Sequence, residues 1–209
     1  MSFKFFSRSR NSDDKMGGHR NWRKMLSNFW PVKITPATLA LADKTLFEDK
    51  TLFEEGHEFS SVEQAFHWAK FHFTTATLTT VEIIDPLTHY PSILLENIDF
   101  DGSDDSFKSN VRPFMVKVKG CSGKGAMKTL HYSLDVDAWN EARVPVMRHL
   151  LQTRWSVDAA FHNILVATGT TALRHTDRGG IRSFWGCSDK GGKNMFGKLL
   201  VELRNKSNV

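Results

Sequence analysis

Apolar residues recur along this chain at two spacings, and the helical one dominates. Between 61 and 73 they fall at Val62, Ala65, Phe66, Ala69 and Phe73, one side of a helix. Ser60 stands three residues before Glu63, the spacing of a capping box, so the helix is expected to start there. A second helix is predicted over 138–155, with Trp139, Val146, Leu150, Leu151 and Trp155 as its apolar side. A third covers 159–167 and is closed by Gly169. The last spans 194–205, with Met195, Leu199, Leu200 and Leu203 turned inward.

Strand signals are fewer. Residues 2–8 alternate, and 171–175 form a short second candidate. The hexapeptides 44–49 and 50–55 are near copies, Lys-Thr-Leu-Phe-Glu-Asp then Lys-Thr-Leu-Phe-Glu-Glu. Two copies are too few for a solenoid, and the region is expected to be a hairpin or two adjoining strands. Residues 78–125 carry turn signals at Asp85-Pro86, Tyr90-Pro91 and 99–105 but no clear period. Residues 9–25 and 176–193 are polar, Gly-containing loops. The sum is an α+β fold: a compact, helix-rich single domain with a small sheet over 1–209, holding an insertion within 71–137.

Composition narrows the class. The 209 residues include 16 Phe and 6 Trp, enough for a core without disulfide or metal staples. Cys121 and Cys187 make no framework and no metal-ligand spacing, so two free thiols in a reducing, cytoplasmic setting are expected. No apolar run is long enough to cross a bilayer, and the first residues lack the apolar stretch of a secretory signal. Charge is uneven: 8 Lys/Arg against 2 Asp/Glu in 1–33, 9 against 16 in 34–138, and 11 against 5 in 139–209. Two basic ends suit a phosphorylated ligand, small or nucleic acid, or simply a solvated surface.

Glu63 is the best candidate acid or base. Hydrolysis of an N-glycoside passes through an oxocarbenium-like state, which a carboxylate can stabilise while it orients water or handles the proton. The competing role is structural, since Glu in a first helical turn completes a capping box and favours the helix dipole. Asn28 could bind a base edge or phosphate, or close its own turn. Trp30, Trp139 and Trp185 could stack on a base or fill the core; Trp185, followed by Gly186 in a polar loop, suits the core least. Lys190-Gly191-Gly192-Lys193-Asn194 precedes a helix, where backbone amides can meet an anion or Asn194 can serve as N-cap. Gly120-Cys121-Ser122-Gly123-Lys124-Gly125 fails the spacing of a nucleotide loop. The nine His show no metal-ligand spacing; His67 and His72 are five apart. No nucleophile-elbow pattern occurs.

Two distant segments then stand together: 26–31 with 59–70, and Phe184-Trp185-Gly186 leading into 191–200. With Trp139, Arg143, Val146-Met147 and Ala167-Thr168-Gly169 they resemble the NADAR family of YbiA-like N-glycosidases, over 26–70 and 139–204. The resemblance implies a compact α+β domain that cleaves a base–ribose N-glycosidic bond without metal or organic cofactor. The substrate would be a phosphoribosylated aminouracil intermediate of riboflavin synthesis, or an NAD-derived or ADP-ribosyl compound, including ADP-ribosylated guanine in nucleic acid. It makes Glu63 the catalytic carboxylate, Trp139 and Trp185 ring-stacking walls, and Asn28, Lys70, Arg143, Lys193 and Asn194 substrate contacts. The chain departs from the pattern at Arg182, where members often carry Asp, and at His175, where many carry Glu. Asp177 or Asp189 would have to supply the second acid, or it is missing, which leaves an ADP-ribose or nucleotide-binding module with weakened catalysis as the alternative.

Overall fold

The computed structural model describes residues 2–6, 9, 11, 13–39, 53, 57–76, 91–177 and 179–206. In chain order its elements are β1 (Ser2–Phe5), α1 (Trp22–Met25), α2 (Pro36–Leu39), α3 (Val62–Phe71), β2 (Thr74–Ala76), α4 (Asp104–Ser106), α5 (Arg112–Cys121), α6 (Lys124–Thr129), β3 (Tyr132–Leu134), α7 (Val136–Val157), α8 (Ala159–Ala167), β4 (Ala172–His175) and α9 (Met195–Lys206). A π-helical turn, Phe107–Val111, links α4 to α5. The fold is α+β and helix-rich, its described strands forming two two-stranded sheets. The expected hairpin in the duplicated hexapeptides lies, apart from Phe53, outside the described residues. The chain divides into two compact units: Met1–Trp30 with Trp155–Val209, and Pro31–Arg154.

The first unit gathers both basic ends of the chain, 15 Lys/Arg against 6 Asp/Glu. Its strands β1 and β4 pair in parallel, Ser2 opposite Ala172 through Phe5 opposite His175. Phe5 is fully buried, and its ring meets those of His175 at 5.3 Å and Phe196 at 5.8 Å. Helix α9 crosses β4 so closely that a Cβ on Gly197 would meet the Leu173 carbonyl. Phe196, Leu199, Leu200 and Leu203 are its buried face; Phe196 takes the place expected for Met195, which is only half-buried. The buried Arg204 donates to Thr168 Oγ1 at 2.6 Å and to the Thr171 carbonyl at 3.0 Å, tying the end of α8 to α9.

The second unit is built around α3. Phe59 pairs with Ile34 in an isolated bridge, and β2 pairs antiparallel with β3. The segment expected to be an insertion supplies much of the core here: Phe107, Val111, Met115 and Val118 are fully buried. They follow one another at intervals of four, four and three, a helical stripe that the glycines, the acidic run and Pro113 obscure in sequence. Aromatic rings fill the rest, with Phe59 5.7 Å from Trp68, Phe71 6.1 Å from Tyr132, and Trp139 5.0 Å from Phe66 and 5.4 Å from Phe73.

Candidate functional site

The start of α3 differs from its expected form by one residue, and the difference bears on Glu63. The N-cap is Ser61, not Ser60: extended backbone lets its hydroxyl accept from the Gln64 amide at 3.1 Å. The reciprocal bond comes from Gln64, whose Oε1 accepts from the Ser60 amide at 2.6 Å. The amide nitrogen of Gln64 donates to the carbonyls of Glu96 at 2.8 Å and Ile93 at 3.3 Å. The capping duty that competed with chemistry at Glu63 is therefore carried by its neighbour.

Glu63 is 8% exposed and turned to a different partner. Its Oε1 lies 3.2 Å from His67 Nε2, one helical turn on, and the other ring nitrogen, Nδ1, is hydrogen-bonded to the Ser122 hydroxyl. Ser122 caps α5, and its carbonyl accepts from Lys70 Nζ at 2.6 Å. Glu63, His67 and Lys70 on α3 thus converge on one residue at the end of α5. Burial lowers the Lys70 pKa, offset in part by Cys121. Burial also pushes the Cys121 thiol up to about 11, with Lys70 pulling it back. The segment holding Ser122 is a corner between α5 and α6, closed by Gly123 N–H to the Gly120 carbonyl.

The other candidates in this unit sit on α7. Trp139 is 6% exposed and packed in the aromatic cluster with Phe66 and Phe73. Arg143, one turn further, is half-buried, and burial lowers its pKa. An open cleft of about 420 Å³ beside the start of α3 is lined by Lys33, Glu58, Phe59, Ser60, Asn97 and neighbours, and by none of the predicted site residues.

Asn28, Trp185, Lys193 and Asn194 belong to the first unit. The turn at Asn28 is closed by Ser27, whose hydroxyl accepts from the Phe29 amide at 3.2 Å. Trp185 is half-exposed, its ring edge-on to Phe184 at 5.1 Å, and Lys193 holds its ammonium 5.4 Å from the Phe184 ring centre. The amide of Asn194 is spent on the sheet: its Oδ1 accepts from His175 N–H at 2.9 Å and its Nδ2 donates to the Leu173 carbonyl at 2.8 Å. With φ at +49°, Asn194 braces β4 instead of capping α9 through its side chain.

The start of α9 is also less open to an anion than the Gly-rich approach suggests. The amides of Lys193, Asn194, Met195 and Phe196 donate to the carbonyls of Ser183, Gly186, Phe184 and Trp185. Asp177 accepts from the Ser183 hydroxyl and the Gly179 amide, and Asp189 pairs with Lys4 at 2.9 Å, which lowers its pKa. His175 lies among the rings of Phe5, Phe6 and Phe196, and Arg182 is exposed in the short helical turn Gly180–Arg182.

Three residues of the Glu63 cluster have no catalytic or positioning role in the sequence reading, which weighs His67 only as a metal ligand and Ser122 only in a nucleotide loop. His67 carries a usable signal, the i, i+4 spacing from an acid on a helix. Gln64 differs from the expected cap by one place, and Ser122 is linked to α3 only through the fold. Among the described residues no group of three or more His, Cys, Asp or Glu is placed to hold a metal, no helix is long and apolar enough to cross a membrane, and both cysteines are free. Searches with this chain match no protein-family model and no curated protein.

Proposed function

We propose that this chain is an N-glycosidase that hydrolyses the base–ribose bond of a phosphoribosylated or ADP-ribosylated substrate, with Glu63 as its catalytic carboxylate. The observation that carries the reading is the state of Glu63: relieved of helix capping by Gln64, buried, and held by a histidine. In the reaction the C1′–N bond breaks with its electron pair leaving on the base, which takes up a proton from solvent. A water oxygen bonds to C1′ and gives its proton to Glu63, which then releases it to solvent. A carboxylate only 8% exposed, whose histidine partner lies 5.7 Å from the Phe66 ring, stabilises the developing ring cation more strongly than one in water would. In this reading Lys70 and Arg143 are polar substrate contacts in the unit that holds Glu63, and Trp139 belongs to the core behind them; the resemblance also assigns Asn28, Trp185 and Lys193 of the other unit to the substrate, whereas the amide of Asn194 is spent on β4.

A second reading is favoured by the acids of the first unit. Asp177 is engaged within its own loop and Asp189 with Lys4, while His175 and Arg182 stand where the resemblance expects acids. A chain lacking the second acid is an ADP-ribose or nucleotide-binding module with weakened catalysis.

Base release measured by chromatography decides between them. The panel is ADP-ribosylated guanine DNA, NAD, ADP-ribose and a phosphoribosylaminouracil, each with wild type and Glu63→Gln. Release from one substrate, reduced a hundredfold or more in the variant, is the expected result. Binding without release from any supports the module, and equal release by both proteins removes Glu63 from the mechanism.

A further inference from the structure

We propose that His67 and Ser122 are positioning residues for Glu63, joined to it as a buried hydroxyl–imidazole–carboxylate relay; the proposal rests on the glycosidase reading of Glu63.

The three side chains come from two helices and are all withdrawn from solvent: Glu63 and His67 are each 8% exposed and Ser122 is 1%. The hydrogen-bond inventory gives the relay a direction. An ionised carboxylate can only accept, so His67 Nε2 must carry the ring proton that faces Oε1. A neutral imidazole then has Nδ1 as an acceptor, and its partner there is a hydroxyl that can donate. Ser122 therefore selects the Nε2–H tautomer, and that tautomer orients the carboxylate. The logic is that of a residue behind a residue: a group that fixes the ring behind a catalytic carboxylate sets its rotamer and its proton affinity without touching substrate.

Ser122 is not the nucleophile of a triad. At 1% exposure its hydroxyl is out of reach of a substrate carbon, even though hydroxyl and carboxylate take opposite ring nitrogens as they do in such a triad. It has a second tie, the carbonyl that accepts from Lys70. One residue thus fixes both a carboxylate, through His67, and an ammonium that the glycosidase reading assigns to substrate. The ionisable groups around the imidazole include Glu63 and, through Ser122, Lys70 with its neighbour Cys121. The short Gly-rich corner makes sense in these terms: Gly123 N–H to the Gly120 carbonyl turns the chain immediately after α5 and holds Ser122 against His67.

The test uses the full chain and two readouts. Long-range nitrogen–proton NMR of histidine-labelled protein reads the His67 tautomer without any substrate. Steady-state base release on whichever panel member is turned over reads the catalytic effect, in wild type, Glu63→Gln, Ser122→Ala, Ser122→Thr, His67→Leu and His67→Gln. The expected results are an Nε2–H tautomer in wild type, and a fall of kcat on the order of tenfold to a hundredfold in Ser122→Ala and His67→Leu with KM within about twofold. Ser122→Thr restores the hydroxyl and the rate. His67→Gln, which keeps an N–H donor beside Oε1, recovers part of it.

An Nδ1–H tautomer in wild type overturns the relay, and because it needs no variant, a Ser122→Ala protein that fails to fold does not shield the proposal. Full turnover in folded Ser122→Ala and His67→Leu, with Glu63→Gln inactive, overturns the relay and leaves the glycosidase reading standing. Full turnover in Glu63→Gln, or no release from any substrate, overturns the glycosidase reading and the positioning role with it, whatever the tautomer.

Discussion

Neighbouring residues Glu63 and Gln64 should respond to truncation in opposite ways. Gln64 is fully buried, and its side chain makes three hydrogen bonds, one from the Ser60 amide and two to the carbonyls of Ile93 and Glu96. Gln64→Ala removes all three. Water can replace the donor at Glu96, which is exposed, so those carbonyls cost little; the Ser60 amide loses its cap for about 1 kcal/mol. The methylene and amide lost from a closed site add roughly 1–2 kcal/mol. The total is about 2–3 kcal/mol, or roughly 4–12 °C in Tm for a chain of this size. Gln64→Glu has the same shape and keeps the acceptor for Ser60, but turns a carboxylate oxygen toward the Glu96 carbonyl. Its cost at neutral pH should match or exceed that of the alanine variant. The deficit should shrink on acidification: burial raises this carboxyl's folded pKa, so the folded state gains protons first, and the protonated group can again donate. Glu63→Gln keeps an acceptor for His67 and touches no cap, so a smaller loss than that of Gln64→Ala is expected. Urea unfolding followed by far-UV circular dichroism measures all three. If Glu63→Gln proves more costly than Gln64→Ala, the assignment of the cap to Gln64 is wrong, and with it the claim that Glu63 is released for chemistry.

Gly197→Ala should destabilise by several kcal/mol, since its Cβ would press on the Leu173 carbonyl and lie 2.7 Å from the Asn194 amide; a melting curve close to wild type would mean α9 does not lie this tightly on β4. Cys121 should alkylate slowly at neutral pH, because a thiol raised from 9.0 to about 11 holds on the order of a hundredfold less thiolate; iodoacetamide kinetics followed by mass spectrometry would show it. Lys70→Met should slow that alkylation further, as it removes the cation that favours the thiolate, and faster alkylation would contradict the pairing. Arg204→Met should cost about 2–3 kcal/mol through the Thr168 and Thr171 acceptors left behind, read in the same unfolding assay.

The elements legible in sequence were those whose apolar positions keep one period over two or more turns, as in α3, α7, α8 and α9. The strand at 171–175 was legible, but its parallel pairing with β1 was not, because register between segments far apart is decided by tertiary packing. The stripe Phe107, Val111, Met115 and Val118 was hidden where a π-helical turn and Pro113 interrupt the helical spacing. At the site, Glu63 drew attention for its residue type and first-turn position. Its release from capping could not be read, because Ser60 and Ser61 offer two registers for the same box and only backbone geometry chooses. Ser122 was visible only as part of a failed nucleotide loop. Nothing local in sequence announces a contact 55 residues away.

The 183–194 segment looks, by composition, like a place where the chain is loose. Its hydrogen bonds say otherwise. With the four amides of 193–196 donating to the four carbonyls of 183–186, and Asp177 gripping Ser183, the stretch is laced to itself like a buckle. Hydrogen exchange at those amides should be slow for a region without strands, and Lys193 should resist trypsin despite its exposed side chain. A half-exposed tryptophan carried on such a buckle is offered to its surroundings at little entropic cost, since the backbone beneath it is already ordered.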